Sequence, residues 1–546
     1  MSDYYDLGSY SRSISTASPD AQLWFDRGLL WTYGYHHEEA IECFRKALEH
    51  DPACVMAHWG VAYASGPNYN KKWGDFDDDE KETCLADAHL AVANAINHLD
   101  KASAIEKGLI EALDERYPDD VSVEDFGPWN DAFANAMRKV YQDHSSDLDV
   151  ATIFAEAIMN RTPWKLWDLA TGKPAEGADT MEAVEVLETA FSKLADQGSN
   201  SHPGLLHMYL HLMEMSPHPE KALNAGDSLS ELVPDAGHLL HMATHVDVLC
   251  GDYQNVVLRN HKAIQADQKY LKRSGALNFY TIYRCHNYHF KIYGAMFLGQ
   301  KQVAIETADE LAAALSGEVL ELMADWVEAF YPMKQHVLIR FGMWDEIKAQ
   351  SLPDDSNLYA MTSALIQYAK TVACAATGDI PGAEAARNDF RAAKAAVPET
   401  RMLFNNTCAD ILDVAEAMLE GELSYRKGDF DEAFDHLRRS VELDDNLPYD
   451  EPWGWMQPTR HALGALLLEQ DRIEDAEAVY RADLGFDDTL ARACQHPNNV
   501  WSLHGMHECL ERMGRDNEAE LLKPQLEIAL ARADVKIKYS CYCRGM

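Results

Sequence analysis

Three histidine groups have the spacing of metal ligands. His207 and His211 stand i, i+4 in Leu-Leu-His-Met-Tyr-Leu-His. His238, His241 and His245 stand i, i+3, i+7 in His-Leu-Leu-His-Met-Ala-Thr-His, and His286 and His289 stand i, i+3 in Cys-His-Asn-Tyr-His-Phe. On a helix each group shares one face. Nine of the chain's 23 histidines fall between residues 207 and 289, where an even spread would put about 3.5. Neutral imidazole ligates zinc, copper, iron or nickel, and an i, i+4 pair chelates one ion from one helix face. The expected cofactor is a transition metal, copper or zinc ahead of iron. The competing expectation is no metal, with the histidines hydrogen-bonded between helices.

The surroundings suit a buried site. Leu206, Met208, Leu210, Leu239, Leu240 and Met242 flank the histidines, and Tyr209, Thr244, Asp247, Asn287 and Tyr288 are at hand to orient the rings. Cys541 and Cys543, in the C-terminal Cys-x-Cys, are further candidate ligands if the tail folds back onto the histidines. Glu156, inside the apolar stretch Phe154-Ala155-Glu156-Ala157, is the candidate general base, a further ligand, or the partner of Arg161. An ion with three or four such ligands and an open position activates water or dioxygen. Zinc would then imply hydrolytic or lyase chemistry, and copper or iron oxidation. There is no His-Glu-x-x-His, phosphate-cradling glycine loop, Gly-x-Ser-x-Gly elbow or kinase motif set.

Helical hairpins must position these groups. Gly28, Ala40, Phe44, Ala47 and Pro52 have the spacing of a tetratricopeptide unit of about 34 residues. Gly421, Gly428, Ala433, Leu437 and Ser440 form a second copy; Gly464, Ala476 and Tyr480 a third; Gly514 and Ala519 a weaker fourth. Small residues let antiparallel helices approach, larger ones fill the groove, and proline ends the second helix. The expected fold is all-α, a right-handed solenoid of tetratricopeptide-like hairpins, several degenerate. Residues 1–18 read as a flexible segment, 19–535 as one continuous solenoid with a waist near 300–360, and 536–546 as a tail. Loops are expected at 66–78, 162–179 and 448–458. The aromatic runs 163–168 and 448–455 either line a groove or staple neighbouring repeats.

Several stretches carry a family resemblance. They are Ala57-His58-Trp59-Gly60 with Gly66-Pro67-Asn68, Pro163-Trp164 with Leu166-Trp167, and the three histidine segments. Leu447-Pro448-Tyr449-Asp450-Glu451-Pro452 and the Cys-x-Cys tail complete the set. From about Ser18 onward the chain resembles long bacterial-type tetratricopeptide repeat proteins and is similar to tetratricopeptide repeat protein 38. The resemblance implies a helical-repeat fold and lends little about activity. The family's usual Pro-Ser-His is replaced here by Ala243-Thr244-His245.

Composition narrows the partners. The formal charge is −41, a field that repels phosphate backbones and anionic membrane surfaces, so neither nucleic acid nor membrane is an expected partner. No apolar run reaches the ~20 residues of a membrane span. Eleven scattered cysteines suggest a reducing cytoplasm. Two functions compete. One is a metal-binding protein, extending to an oxidative or hydrolytic metalloenzyme acting on a small molecule or peptide in the concave cavity. The other is a non-catalytic scaffold for a partner protein. The oligomeric state is left open.

Overall fold

The tetratricopeptide spacing is realised as packing between successive helices. Ser18 caps the helix Pro19–Tyr33 by accepting from the Ala21 amide, with proline in its first turn. Helices His37–His50 and Val55–Ser65 follow. Gly28 and Gly60 both face the Phe44 ring, where a Cβ on either would approach ring carbons to 2.6 and 2.5 Å. The aromatic ring of the middle helix thus sits between two glycines of its neighbours. Tyr480, on Ile473–Asp483, lies in the same way between Gly464 and Gly505 on Thr459–Glu469 and Val500–Arg512. Gly421, on Cys408–Lys427, meets Leu437 of Phe430–Asp445.

The computed structural model describes residues 4–545 other than 197, 199 and 200. The fold is all-α, of the helical-repeat solenoid class. Among the described residues, strands occur as two short antiparallel pairs, Trp167–Asp168 with Lys173–Pro174 and Met402–Leu403 with Asn406–Thr407. No helix among them is long and apolar enough to cross a membrane. The chain divides into two compact units, Met1–Val246 and Asp247–Met546. The segment 300–360, expected as a waist, lies inside the second.

Both termini dock within their own units. Residues 1–3 of the expected flexible segment lie outside the described residues, as does Met546 of the tail. The rest of the N-terminal segment is held by specific bonds. Trp31 donates to the Tyr4 hydroxyl (2.9 Å), Tyr10 donates to Asp149 (2.7 Å), and Arg12 bridges Asp147 (2.8 Å) and Asp149 (2.6 Å). Asn68 makes a turn, its side-chain oxygen accepting from the Asn70 and Lys71 amides. In the second unit, Arg544 grips Glu508 with both terminal nitrogens (2.7 and 2.6 Å).

Candidate functional site

The helix Pro203–Glu214 is buried on every side, as a helix with apolar residues all round must be. It opens with Pro203, and the His202 ring accepts from the Leu205 amide. His207 and His211 therefore project into the protein interior, both 0% exposed. His238 and His241, on the short helix Gly237–His241, are equally buried. A ring nitrogen from each of His207, His211 and His238 lies within 4.8 Å of the other two.

The second nitrogen of each ring decides what the first can do. His207 Nδ1 lies 2.6 Å from the Tyr33 carbonyl oxygen. A carbonyl only accepts, so Nδ1 carries the proton and Nε2 keeps its lone pair. His211 Nδ1 donates to Glu214 Oε1 (3.0 Å), again leaving a lone pair on Nε2. Both Nε2 atoms are buried with no hydrogen-bond partner. Burial pushes His207 down to about 3 and His211 and His238 well below the ordinary imidazole range, and neighbouring histidines press the same way. The rings stay neutral at pH 7, the form that binds metal.

Glu214 links two groups. Its other oxygen accepts from His245 Nδ1 (2.6 Å). His245 Nε2 then accepts from His241 Nε2 (2.7 Å), and Thr244 donates to the His241 carbonyl (2.7 Å). A carboxylate bonded to a metal-facing histidine fixes its tautomer and raises its basicity. Glu214 is not among the residues that the histidine spacing singles out, although it stands i+3 from His211, a spacing that puts it on the same helix face.

Three aromatic rings crowd His211. Tyr35 stacks on it at 5.7 Å, Tyr69 lies at 4.9 Å, and Trp164 meets it edge-on at 5.9 Å. Tyr35 also approaches His207 (4.6 Å) and His238 (5.8 Å). Tyr35 and Trp164 both have left-handed backbones, φ +52° and +60°, a conformation that costs a non-glycine residue about 1–3 kcal/mol and concentrates at functional sites. The aromatic run 163–168 thus covers the histidines through Trp164.

Glu156 lies beside this cluster, 4% exposed. It accepts from the Tyr63 hydroxyl (2.5 Å), and Tyr35, Asn160 and Arg116 also face it. Burial raises its carboxyl above the ordinary range, against Tyr63 and Arg116. Its cationic neighbour is Arg116; Arg161, the partner expected from sequence, instead binds Asp131 (2.6 Å) and Asp179.

Most of the remaining candidates belong to the second unit. His286 and His289 lie on Tyr280–Leu298, where Phe404 approaches them at 4.6 and 6.4 Å. Asn287 donates to Asp267 (2.7 Å), Tyr288 accepts from Gln268 (3.2 Å), and Arg259 pairs with Asp247 (3.3 Å). In the first unit Tyr209 turns to Glu188 (3.2 Å). Cys541 and Cys543 are joined as a disulfide beside Glu422.

The second unit also holds histidines in a different setting. Asp483 accepts from His461 Nε2 (3.1 Å), His496 Nδ1 (2.8 Å), Asn499 (3.0 Å) and Ser502 (2.6 Å). His461 Nδ1 accepts from Arg340 (3.0 Å).

The tetratricopeptide repeat profile matches residues 34–54. No curated protein sequence is significantly similar to the chain. Among solved structures, Ypp1 is 11% identical with a TM-score of 0.33, covering 98% of this chain and 68% of its own. The APC/C hetero-tetramer Cut9–Hcn1 is 12% identical with a TM-score of 0.28, covering 95% and 94%. Naa15/Naa10 bound to HypK-THB is 13% identical with a TM-score of 0.22, covering 94% and 70%.

Proposed function

We propose that this chain is a helical-repeat scaffold whose first unit is built around one transition-metal ion, zinc or copper, held by His207, His211 and His238. One observation carries the metal. Two buried imidazoles spend Nδ1 on Tyr33 and Glu214 and keep bare Nε2 lone pairs, and a ring nitrogen of each lies within 4.8 Å of one on a third histidine. Unmet polar atoms at that depth cost free energy that an ion would remove. Tyr33 and Glu214 orient the ligands, and the aromatic rings of Tyr35, Tyr69 and Trp164 exclude water.

The scaffold part rests on the repeat profile and the hairpin packing, since repeat stacks of this kind present grooves to partner proteins. A cytoplasmic setting suits its cysteine pattern. The closer kinship with tetratricopeptide repeat protein 38 rests on the shared histidine and aromatic motifs. An oxidative or hydrolytic activity is the second reading. Its support is Glu156, whose carboxyl burial raises toward the range of a general base and which Tyr35 links to the histidine rings.

Elemental analysis of untagged protein, purified without chelator, tests the proposal. Near-stoichiometric zinc or copper is expected. His207→Ala with His211→Ala should abolish it while circular dichroism keeps its helical signal. A wild type that carries no metal and takes up none on dialysis against either ion would end this reading.

A further inference from the structure

A second cluster of ligand-type atoms lies in the other unit, and the histidine centre does not use it. Glu422, on the helix Cys408–Lys427, is 0% exposed, and neither of its carboxylate oxygens has a hydrogen-bond partner. Its nearest cation is Arg426, whose Nε stands 3.8 Å away. A buried carboxylate without a donor is costly unless something positive sits against it. The atoms that do sit near it are sulfurs. Cys541 Sγ, Cys543 Sγ and a Glu422 oxygen lie within 4.8 Å of one another.

The tail that delivers these sulfurs is pinned along its length. Arg340 donates to the Ser540 carbonyl (3.0 Å), and the Ser540 hydroxyl donates to the His461 carbonyl (2.8 Å). Arg426 donates to the Cys543 carbonyl, and Arg544 is locked on Glu508. Reduction of the disulfide would therefore leave both thiols facing Glu422 instead of dispersing them. The cavity they line has about 20 Å³ of free space, room for a single water-sized occupant.

We propose that Glu422, Cys541 and Cys543 form a redox-gated zinc site that is closed while the disulfide stands and opens when it is reduced. Two thiolates and a carboxylate are a zinc donor set, with a fourth position left for water. The chemistry balances with a cellular dithiol as reductant. The Cys541–Cys543 S–S bond breaks, the dithiol supplies two electrons and two protons, and it leaves as its own disulfide. Zinc then displaces both thiol protons. In the reverse direction hydrogen peroxide takes the two electrons of the thiolates, its O–O bond breaks, two protons from solvent complete two waters, the disulfide re-forms and the zinc is released. This site does not depend on the histidine centre, because its residues and its gate are separate.

The test counts zinc on the full chain. Protein reduced with a phosphine, with reduction verified by intact mass, is titrated with zinc against a chromophoric chelator beside the oxidised protein. The reduced form should take one more equivalent than the oxidised form. That equivalent should vanish in Cys541→Ser/Cys543→Ser and after peroxide, and persist in His207→Ala/His211→Ala. Cobalt in place of zinc should give a thiolate charge-transfer band with the reduced form only. Glu422→Gln should keep that band and weaken zinc by more than about tenfold, the least that a supporting group contributes to a metal site. Equal zinc in the two redox states overturns the proposal. So does an extra equivalent that survives the double serine variant, or an affinity unchanged in Glu422→Gln.

Discussion

The two units each bury a histidine cluster around a carboxylate, and they finish the job differently. In the second unit Asp483 collects four side-chain donors from His461, His496, Asn499 and Ser502, and Arg340 closes the remaining nitrogen of His461. His461 has both nitrogens bonded within the protein. In the first unit Glu214 collects His211 and His245, and Tyr33 takes His207, yet the Nε2 atoms of His207 and His211 stay unbonded. The histidines are of one type and comparably buried. An unbonded nitrogen alone does not make a ligand, since His289 and His336 of the second unit also have one; what sets His207 and His211 apart is that Tyr33 and Glu214 fix the other nitrogen and a third ring nitrogen lies within 4.8 Å.

The largest effect that checks this comparison is on the closed network. Asp483→Ala leaves two histidines, Asn499 and Ser502 without their shared acceptor. Each buried donor left without its acceptor costs about 1–3 kcal/mol, so the denaturation midpoint should fall by at least that equivalent. A midpoint that does not move would show that the network is not what holds these helices.

A smaller effect is expected at the open cluster. Glu214→Gln keeps the shape of the side chain but offers one accepting oxygen to two histidine donors. Metal affinity should fall by about 10- to 100-fold, the usual consequence of losing a bond that orients a ligand. The apo-protein should change little by comparison. If the apo stability falls as far as in Asp483→Ala while metal affinity holds, the first unit's cluster is glue as well, and the contrast between the units disappears.

How much of this could be read from sequence follows from how local each feature is. Gly28 with Phe44 and Gly464 with Tyr480 recur at fixed spacing, because each hairpin solves the same packing problem, so the all-α repeat fold was legible. The histidine faces were legible for the same reason, as helical spacing alone aligns His207 with His211. Glu214 obeyed that rule and carried a usable signal. The aromatic cover did not. Tyr35 and Trp164 come from turns with left-handed backbones, far from His211 in sequence, and no periodic pattern announces such residues. Glu156 shows the cost of reasoning by proximity. Arg161 is nearer in sequence, but it follows the end of the helix Leu148–Met159 and turns to Asp131 and Asp179, while Arg116 arrives from another helix.

His336 sharpens the comparison, because it isolates burial from any carboxylate. It is 2% exposed, meets Trp455 edge-on at 4.9 Å, and its Nδ1 has no hydrogen-bond partner. Burial alone pushes it from 6.5 down to about 3. The neutral form is therefore the folded form. Above 6.5 neither the folded nor the unfolded state carries the proton, and the histidine's contribution is intact. Below 6.5 the unfolded chain takes up a proton that the folded chain refuses until about 3, so stability falls through that window. The slope is about 1.4 kcal/mol per pH unit for one such group. His336→Leu removes the uptake, while the other buried histidines titrate in both proteins and cancel. Between about pH 7.5 and pH 5.5 the wild type should lose about 1.4 kcal/mol more than the variant, read as a difference of denaturation midpoints. Equal losses would mean that the folded protein accepts the proton on His336. Burial would then be too weak to keep an isolated imidazole neutral, and the neutrality of His207 and His211 would have to come from the groups around them instead.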